Sequence, residues 1–228
     1  MSALTPKLFE SSVWDAGAFK SDWSQDYIKN EPQFFNASLE FAYANGKGIT
    51  REFIAALPRG WESSVLDSRV HMLMNGWYPA IPGYHHDDVP RPPIPVGQHF
   101  LTAPQPDYEN PRYKAEHIMG LVSGDICPTA FALGECLMPA IPEDGLIYRR
   151  WHMEIVQMLA AGKLEHWSAP SGRLIGFDWQ TFHTGVKASG SGWRWFCRIT
   201  RNSDRCATIT NEQRTQTQVY LEFPMEGW

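Results

Sequence analysis

The stretch Gly83-Tyr84-His85-His86-Asp87-Asp88 sets two imidazoles beside two carboxylates, and far along the chain His183 is followed eleven residues later by Arg194. Two imidazole nitrogens and one carboxylate oxygen on one face of a transition-metal ion leave adjacent coordination positions open for other molecules. In an extended segment, side chains two apart share a face, so His85 projects with Asp87 and His86 with Asp88. Spacing alone leaves both pairs open. Pro82-Gly83-Tyr84 favours His85 and Asp87, because a turn there ends just before them, whereas Asp88 runs into Val89-Pro90, where a strand must break.

A hydrophobic run over residues 173–177 leads toward His183, which stands ahead of Thr184-Gly185. In Gly192-Trp193-Arg194-Trp195-Phe196-Cys197-Arg198, the alternation puts Arg194, Phe196 and Arg198 on one face and Trp193, Trp195 and Cys197 on the other. An arginine aimed into an aromatic interior is costly unless a carboxylate or phosphate meets it. The planar guanidinium matches a carboxylate with two parallel hydrogen bonds, which lysine does poorly. A dicarboxylate cosubstrate is a fitting partner for Arg194.

His85-x-Asp87, the distal His183 and Arg194 together resemble the Fe(II)/2-oxoglutarate-dependent oxygenase superfamily, with spacing most similar to its phytanoyl-CoA hydroxylase, ectoine hydroxylase and taurine dioxygenase branches. The likeness spans about residues 65–200 and rests on those four positions. It implies a double-stranded β-helix (a cupin-like jelly roll) with His85, Asp87 and His183 as iron ligands and Arg194 on the distal carboxylate of 2-oxoglutarate. Cys127-Pro128-Thr129-Ala130-Phe131 resembles the strand that brings a hydroxyl to the same carboxylate, which makes Thr129 a second contact, with Arg198 a further one. The implied reaction uses Fe(II), 2-oxoglutarate and O2 to hydroxylate a small-molecule C–H bond, with succinate and CO2 as co-products. Halogenating members replace the carboxylate ligand by a small residue, so Asp87 disfavours chlorination. Two histidines and an aspartate also suit a zinc hydrolase, which needs a general base and has no use for Arg194. A non-catalytic jelly-roll binding module is a second alternative, and a nucleic-acid-modifying oxygenase, which shares the centre and differs only in substrate, is a third.

These residues need a scaffold. At 228 residues the chain is most economically one domain, with a mostly helical buttress over 1–60 and a β core over 61–228. Apolar periodicity predicts helices over 31–43, 50–57 and 148–161, after an irregular arm over 1–30. Residues 65–74 and 76–83 are rich in β-formers, and short strands follow over 117–123, 127–133, 173–177, 193–200 and 218–223. Many short strands punctuated by turn residues predict a mainly β, antiparallel sandwich or barrel with flanking helices. Residues 89–111 hold seven prolines and read either as a lid or substrate loop, or as a static cover.

Composition narrows the function further. A formal charge of −5 offers no general attraction to nucleic acid, and no apolar run approaches a membrane span. The N-terminus lacks a basic segment followed by an apolar run, and the four cysteines show no C-x-x-C spacing, so a reduced cytoplasmic setting without structural zinc is expected. Ten Trp, eight Tyr and twelve Phe suit a dry, aromatic-lined pocket. Trp77, Tyr78, Tyr84 and Arg91 flank the metal pair as expected substrate contacts, and His71 and Asn75 share a face that could reach the pocket. Nothing in the chain marks the substrate beyond a small molecule, and nothing marks an oligomeric state.

Overall fold

The computed structural model of the chain describes residues 6–92, 106–109, 112–140 and 147–221. Strand exceeds helix, 36% against 21%, so the protein is mainly β with flanking helices. One antiparallel sheet has six strands in the order β2 (Val13–Ala18), β9 (Arg173–Asp178), β6 (Glu116–Val122), β11 (Gly192–Arg201), β5 (Val65–Leu73) and β4 (Ala37–Ser38). The second sheet is built on β7 (Thr129–Met138). Its first half lies between β10 (His183–Gly185) and β8 (Glu165–Ser168), and its second half pairs with β1 (Lys7–Ser11). His85 adds one rung beyond β10, an isolated bridge to His183. A separate ribbon joins β3 (Gln33–Phe35) to β12 (Glu212–Arg214).

Three of the four apolar clusters among the described residues hold these layers. Met119, Leu121, Phe131, Ile175 and Phe177 come from both sheets and pack together. The other face of the six-stranded sheet presents Trp195 and Cys197 to Ile28 of α1 (Gln25–Lys29), Ala42 of α2 (Leu39–Asn45) and Phe53 of α3 (Gly48–Ala55). Trp151 and Ile155 of α4 (Ile147–Ala160) pack with Phe9, Tyr108 and Phe182 over the second sheet. Each large apolar side chain so buried contributes about 1.5–3 kcal/mol. Helix α3 lacks a side-chain cap of its own at Lys47. The buried Glu31 carboxylate replaces it, accepting from the Lys47 N–H (3.0 Å), the Thr50 N–H (3.1 Å) and the Thr50 hydroxyl (2.6 Å). A carboxylate at a helix N-terminus satisfies orphan amides and complements the dipole.

Strands β5, β6, β9 and β11 and helices α3 and α4 fall where periodicity predicts them. The N-terminal region departs from expectation. Residues 7–18 form β1 and β2, which are integral to both sheets, so the irregular arm and the mostly helical buttress are corrected. The helix expected over 31–43 starts only at Leu39: Asn36 turns the chain at φ 50°, and the Ser38 hydroxyl then accepts the Phe41 N–H at 3.1 Å. Residues 76–83 form no strand, and in the 218–223 segment Tyr220 makes only a bridge to Tyr78. Of the proline-rich segment, 93–105 and 110–111 lie outside the described residues, so its role as lid or cover does too. All four cysteines are free, three of them buried as small apolar groups.

Gly120, at the middle of β6, marks a close approach. A Cβ there would lie 2.7 Å from the Phe19 ring and 2.8 Å from that of Phe53. Strand propensity alone favours valine at this position by about 1 kcal/mol or less, but overpacking costs about 1–3 kcal/mol. Gly120→Val is therefore expected to lower the unfolding free energy in a denaturant titration; a stabilised variant would show that these rings do not hold this face.

Candidate metal centre

The structure brings the ends of the sequence motif together. His85 and His183 are directly opposed, each donating its backbone N–H to the other's carbonyl at 3.1 and 3.2 Å. Opposed residues of an antiparallel pair share a face, and the two rings lie 4.7 Å apart, centroid to centroid. Asp87 follows two residues later and turns its carboxylate to both: Oδ2 is 2.9 Å from His183 Nε2, and Oδ1 is 3.7 Å from His85 Nε2. The ligand atoms of all three lie within 4.8 Å of one another. Asp87 is not on a strand. Only the single rung at His85 is β, and Asp88 at φ 53° ends the extended run.

Both imidazoles are oriented by the backbone. His85 Nδ1 donates to the Gly83 carbonyl at 2.8 Å and His183 Nδ1 to the Thr181 carbonyl at 3.0 Å. A carbonyl can only accept, so the hydrogen sits on Nδ1 and Nε2 keeps its lone pair, the arrangement by which a histidine ligates a metal. Burial pushes the His85 pKa down to about 3, helped by the neighbouring His183. Burial likewise takes His183 to about 4, against the pull of the Thr181 carbonyl. A neutral Nε2 facing a carboxylate oxygen at 2.9 Å has no proton to share, and a cation between them resolves the conflict. The donor set therefore fits a divalent metal.

The alternative pair points elsewhere. His86 Nδ1 meets the Tyr108 hydroxyl at 2.9 Å, and its ring packs 3.8 Å from Phe182 in the cluster under α4. Asp88 turns toward Arg205 and Arg198, at 3.6 and 3.9 Å. The duplicated motif thus resolves to His85 and Asp87.

A cavity of about 250 Å³ opens beside the triad. Its wall is one face of β5 and β11, where Arg194 stands opposite His71, Phe196 opposite Arg69 and Arg198 opposite Asp67. Arg194 is 2% exposed, yet no carboxylate among the described residues pairs with it. Its Nε donates to the Cys127 carbonyl at 2.7 Å and its Nη2 to the Thr129 hydroxyl at 3.3 Å. Burial lowers its pKa, but a guanidinium stays charged. Arg198 differs: it is ion-paired with Asp87 and lies 3.6 Å from Asp67. Asp67 in turn takes two bonds from Arg205 at 2.7 and 2.8 Å. Burial works to raise the Asp67 pKa, but Arg198 and Arg205 hold it below the ordinary carboxylate value. The cosubstrate contact expected of Arg198 is thus not where its charge is matched.

Several other expectations need correcting. His71 does line the cavity, whereas Asn75, Trp77, Tyr78, Tyr84 and Arg91 do not, and among the described aromatics only Phe35 and Phe196 line it. Tyr84 packs with His152 instead, and most of the aromatic mass fills the outer clusters. Sequence reasoning missed Asp67, Arg69 and Arg205. Asp67-x-Arg69-x-His71 is a polar row at period two within an otherwise largely apolar strand, which is the signal that marks its face. Arg205, in the 3-10 turn Asp204–Ala207, has no such signal. A wider groove of about 540 Å³, lined by Leu39, Tyr43, Ile54, Leu57 and Trp61, lies apart from this chemistry. No protein-family model and no curated protein matches the chain.

Three further histidines are buried as neutral groups. His71, His86 and His117 have pKa values held well below the usual one, in each case chiefly by burial. The unfolded chain takes up protons near pH 6.5 that the folded protein refuses, so the stability they confer is complete above that pH and is lost as pH falls below it. His117 is fully buried against Phe177 and bonded to the Thr200 hydroxyl at 2.9 Å. Between pH 6 and pH 5, stability is expected to fall by up to about 1.4 kcal/mol for each such group. His117→Gln should make the slope shallower by about one such increment in paired denaturant titrations, and an unchanged slope would place His117 outside this account.

Proposed function

We propose that the protein is an Fe(II)/2-oxoglutarate-dependent dioxygenase that hydroxylates a small molecule, with His85, Asp87 and His183 holding the iron. The observation that carries this reading is Arg194: a buried cation with no carboxylate partner among the described residues, in the same cavity as a triad that could hold a metal. The winding of the chain supports it as well. Strands β5, β6, β9 and β11 belong to one sheet and alternate in sequence with the His85 rung, β7–β8 and β10 of the other, an alternation that a double-stranded β-helix would also have. When bound, iron(II) with 2-oxoglutarate and O2 supplies the oxidising power that converts a C–H bond to an alcohol, giving succinate and CO2.

The chain's own residues do the positioning. With Nε and one Nη2 hydrogen committed, the remaining Arg194 N–H groups are available to a carboxylate, and the pairing compensates a desolvated charge. Thr129 accepts from Arg194 and keeps its own hydroxyl proton to donate to that same carboxylate. His71, opposite Arg194, lies close to the Pro79 backbone but falls short of a hydrogen bond there, which leaves its ring nitrogens available to a ligand. Arg198 fixes the Asp87 carboxylate, and the carbonyls of Gly83 and Thr181 fix the two rings. A zinc hydrolase would use the triad but leave Arg194 and Thr129 without a role.

Anaerobic titration with Fe(II) and 2-oxoglutarate tests this through the visible charge-transfer band of the chelate. The wild type is expected to show the band, as is His86→Ala, whereas His85→Ala and His183→Ala lose it. Arg194→Ala should weaken 2-oxoglutarate binding about tenfold to a hundredfold, the worth of a charge-assisted hydrogen bond. No band in the wild type, or unchanged affinity in Arg194→Ala with the fold intact by circular dichroism, overturns the assignment.

A further inference from the structure

The cavity holds more positive charge than iron and cosubstrate account for. Arg69, Arg194, Arg198 and Arg205 line it, against Asp67 and Asp87. Arg198 and Arg205 are matched by Asp67, Asp87 and Asp88. On the reading above Arg194 meets a 2-oxoglutarate carboxylate; with the charges of iron(II) and the dianion cancelling, the four guanidiniums exceed the three carboxylates Asp67, Asp87 and Asp88 by one. Arg69 is left over. Among the described residues it makes no hydrogen bond and no ion pair, although Asp67 stands two residues away on the same face of β5. The Asp67 oxygens are already taken by Arg205 and approached by Arg198.

Position adds to charge. Arg69 is partly buried, stands opposite Phe196 on the wall shared by β5 and β11, and lies two residues along the strand, on the same face, from the Arg194–His71 pair. A half-desolvated guanidinium in a concave site calls for an acceptor with two oxygens, and its fork matches oxyanions in particular.

We propose that Arg69 anchors the substrate, and that the substrate is a small molecule carrying an oxyanion: a carboxylate, sulfonate or phosphate. This rests on the oxygenase reading for the word substrate, but the oxyanion site itself rests on Arg69 alone. The Arg69 pairing holds the molecule by one end beside the triad, which limits the C–H bonds that can face the metal to those within a short reach of the anionic group. A cavity of about 250 Å³ restricts that molecule to a small one.

The test uses methanesulfonate and methylphosphonate as probes and dimethyl sulfone as the uncharged control. Calorimetry and perturbation of the chelate band are read on protein loaded anaerobically with Fe(II) and 2-oxoglutarate. Wild type is expected to bind at least one oxyanion and not the sulfone. Arg69→Gln should weaken that binding about tenfold or more, and Arg69→Lys should restore part of it. The chelate band and 2-oxoglutarate affinity should stay unchanged in both variants. Equal oxyanion binding by wild type and Arg69→Gln, or none by wild type, with the band intact, overturns the Arg69 proposal and leaves the oxygenase reading standing. Oxyanion binding that Arg69→Gln abolishes, in a protein with no chelate band, retains the site and sinks the oxygenase reading.

Discussion

The paired backbone hydrogen bonds between His85 and His183 are the constraint on which the site depends. They tie a loop in the first half of the chain to a three-residue strand near its other end. Residues so opposed must project their side chains to the same side, which makes the nearness of the two imidazoles a property of the backbone. The carbonyls two residues before each histidine then set both rings, and Asp87 needs only one further turn of the chain to join them. A centre built this way needs little from its own side chains except their identity.

Arg194 and Arg198 show how little separates two roles. They sit four residues apart on one face of one strand, and burial lowers the pKa of both. Arg198 is surrounded by Asp67, Asp87 and Asp88, whereas Arg194 has a carbonyl and a hydroxyl. Dipoles compensate a desolvated charge only in part. A carboxylate bound at Arg194 would therefore stabilise the folded protein, by an amount set by its concentration relative to its Kd.

What could be read in the sequence followed the strength of its local code. The meeting of His85, Asp87 and His183, and Arg194 in the same cavity, was legible because residue type and spacing single these positions out. β5 and β11 were legible because both are long and rich in β-formers. β1 and β2 were not, since Leu8 is 59% exposed and Trp14 is 41% exposed, which inverts the apolar-inward pattern that marks a strand. β10 is too short at three residues to carry any period. The choice between the two His-x-Asp pairs depended on contacts with Tyr108, Phe182 and Arg205, and no spacing rule encodes those. Arg205 reaches Asp67 from the turn that follows β11, a tertiary contact with no local trace.

The strand pairings also govern how the molecule comes into being. β5 finds its partner β11 more than a hundred residues later, and β2 must wait for β9. During vectorial synthesis on a ribosome, the first strands emerge long before anything exists for them to pair with. High contact order of this kind slows folding and leaves unpaired edges open to association. β1 waits for β7 and β2 for β9, so the interval before those partners arrive is when the edges of this chain are most open to association.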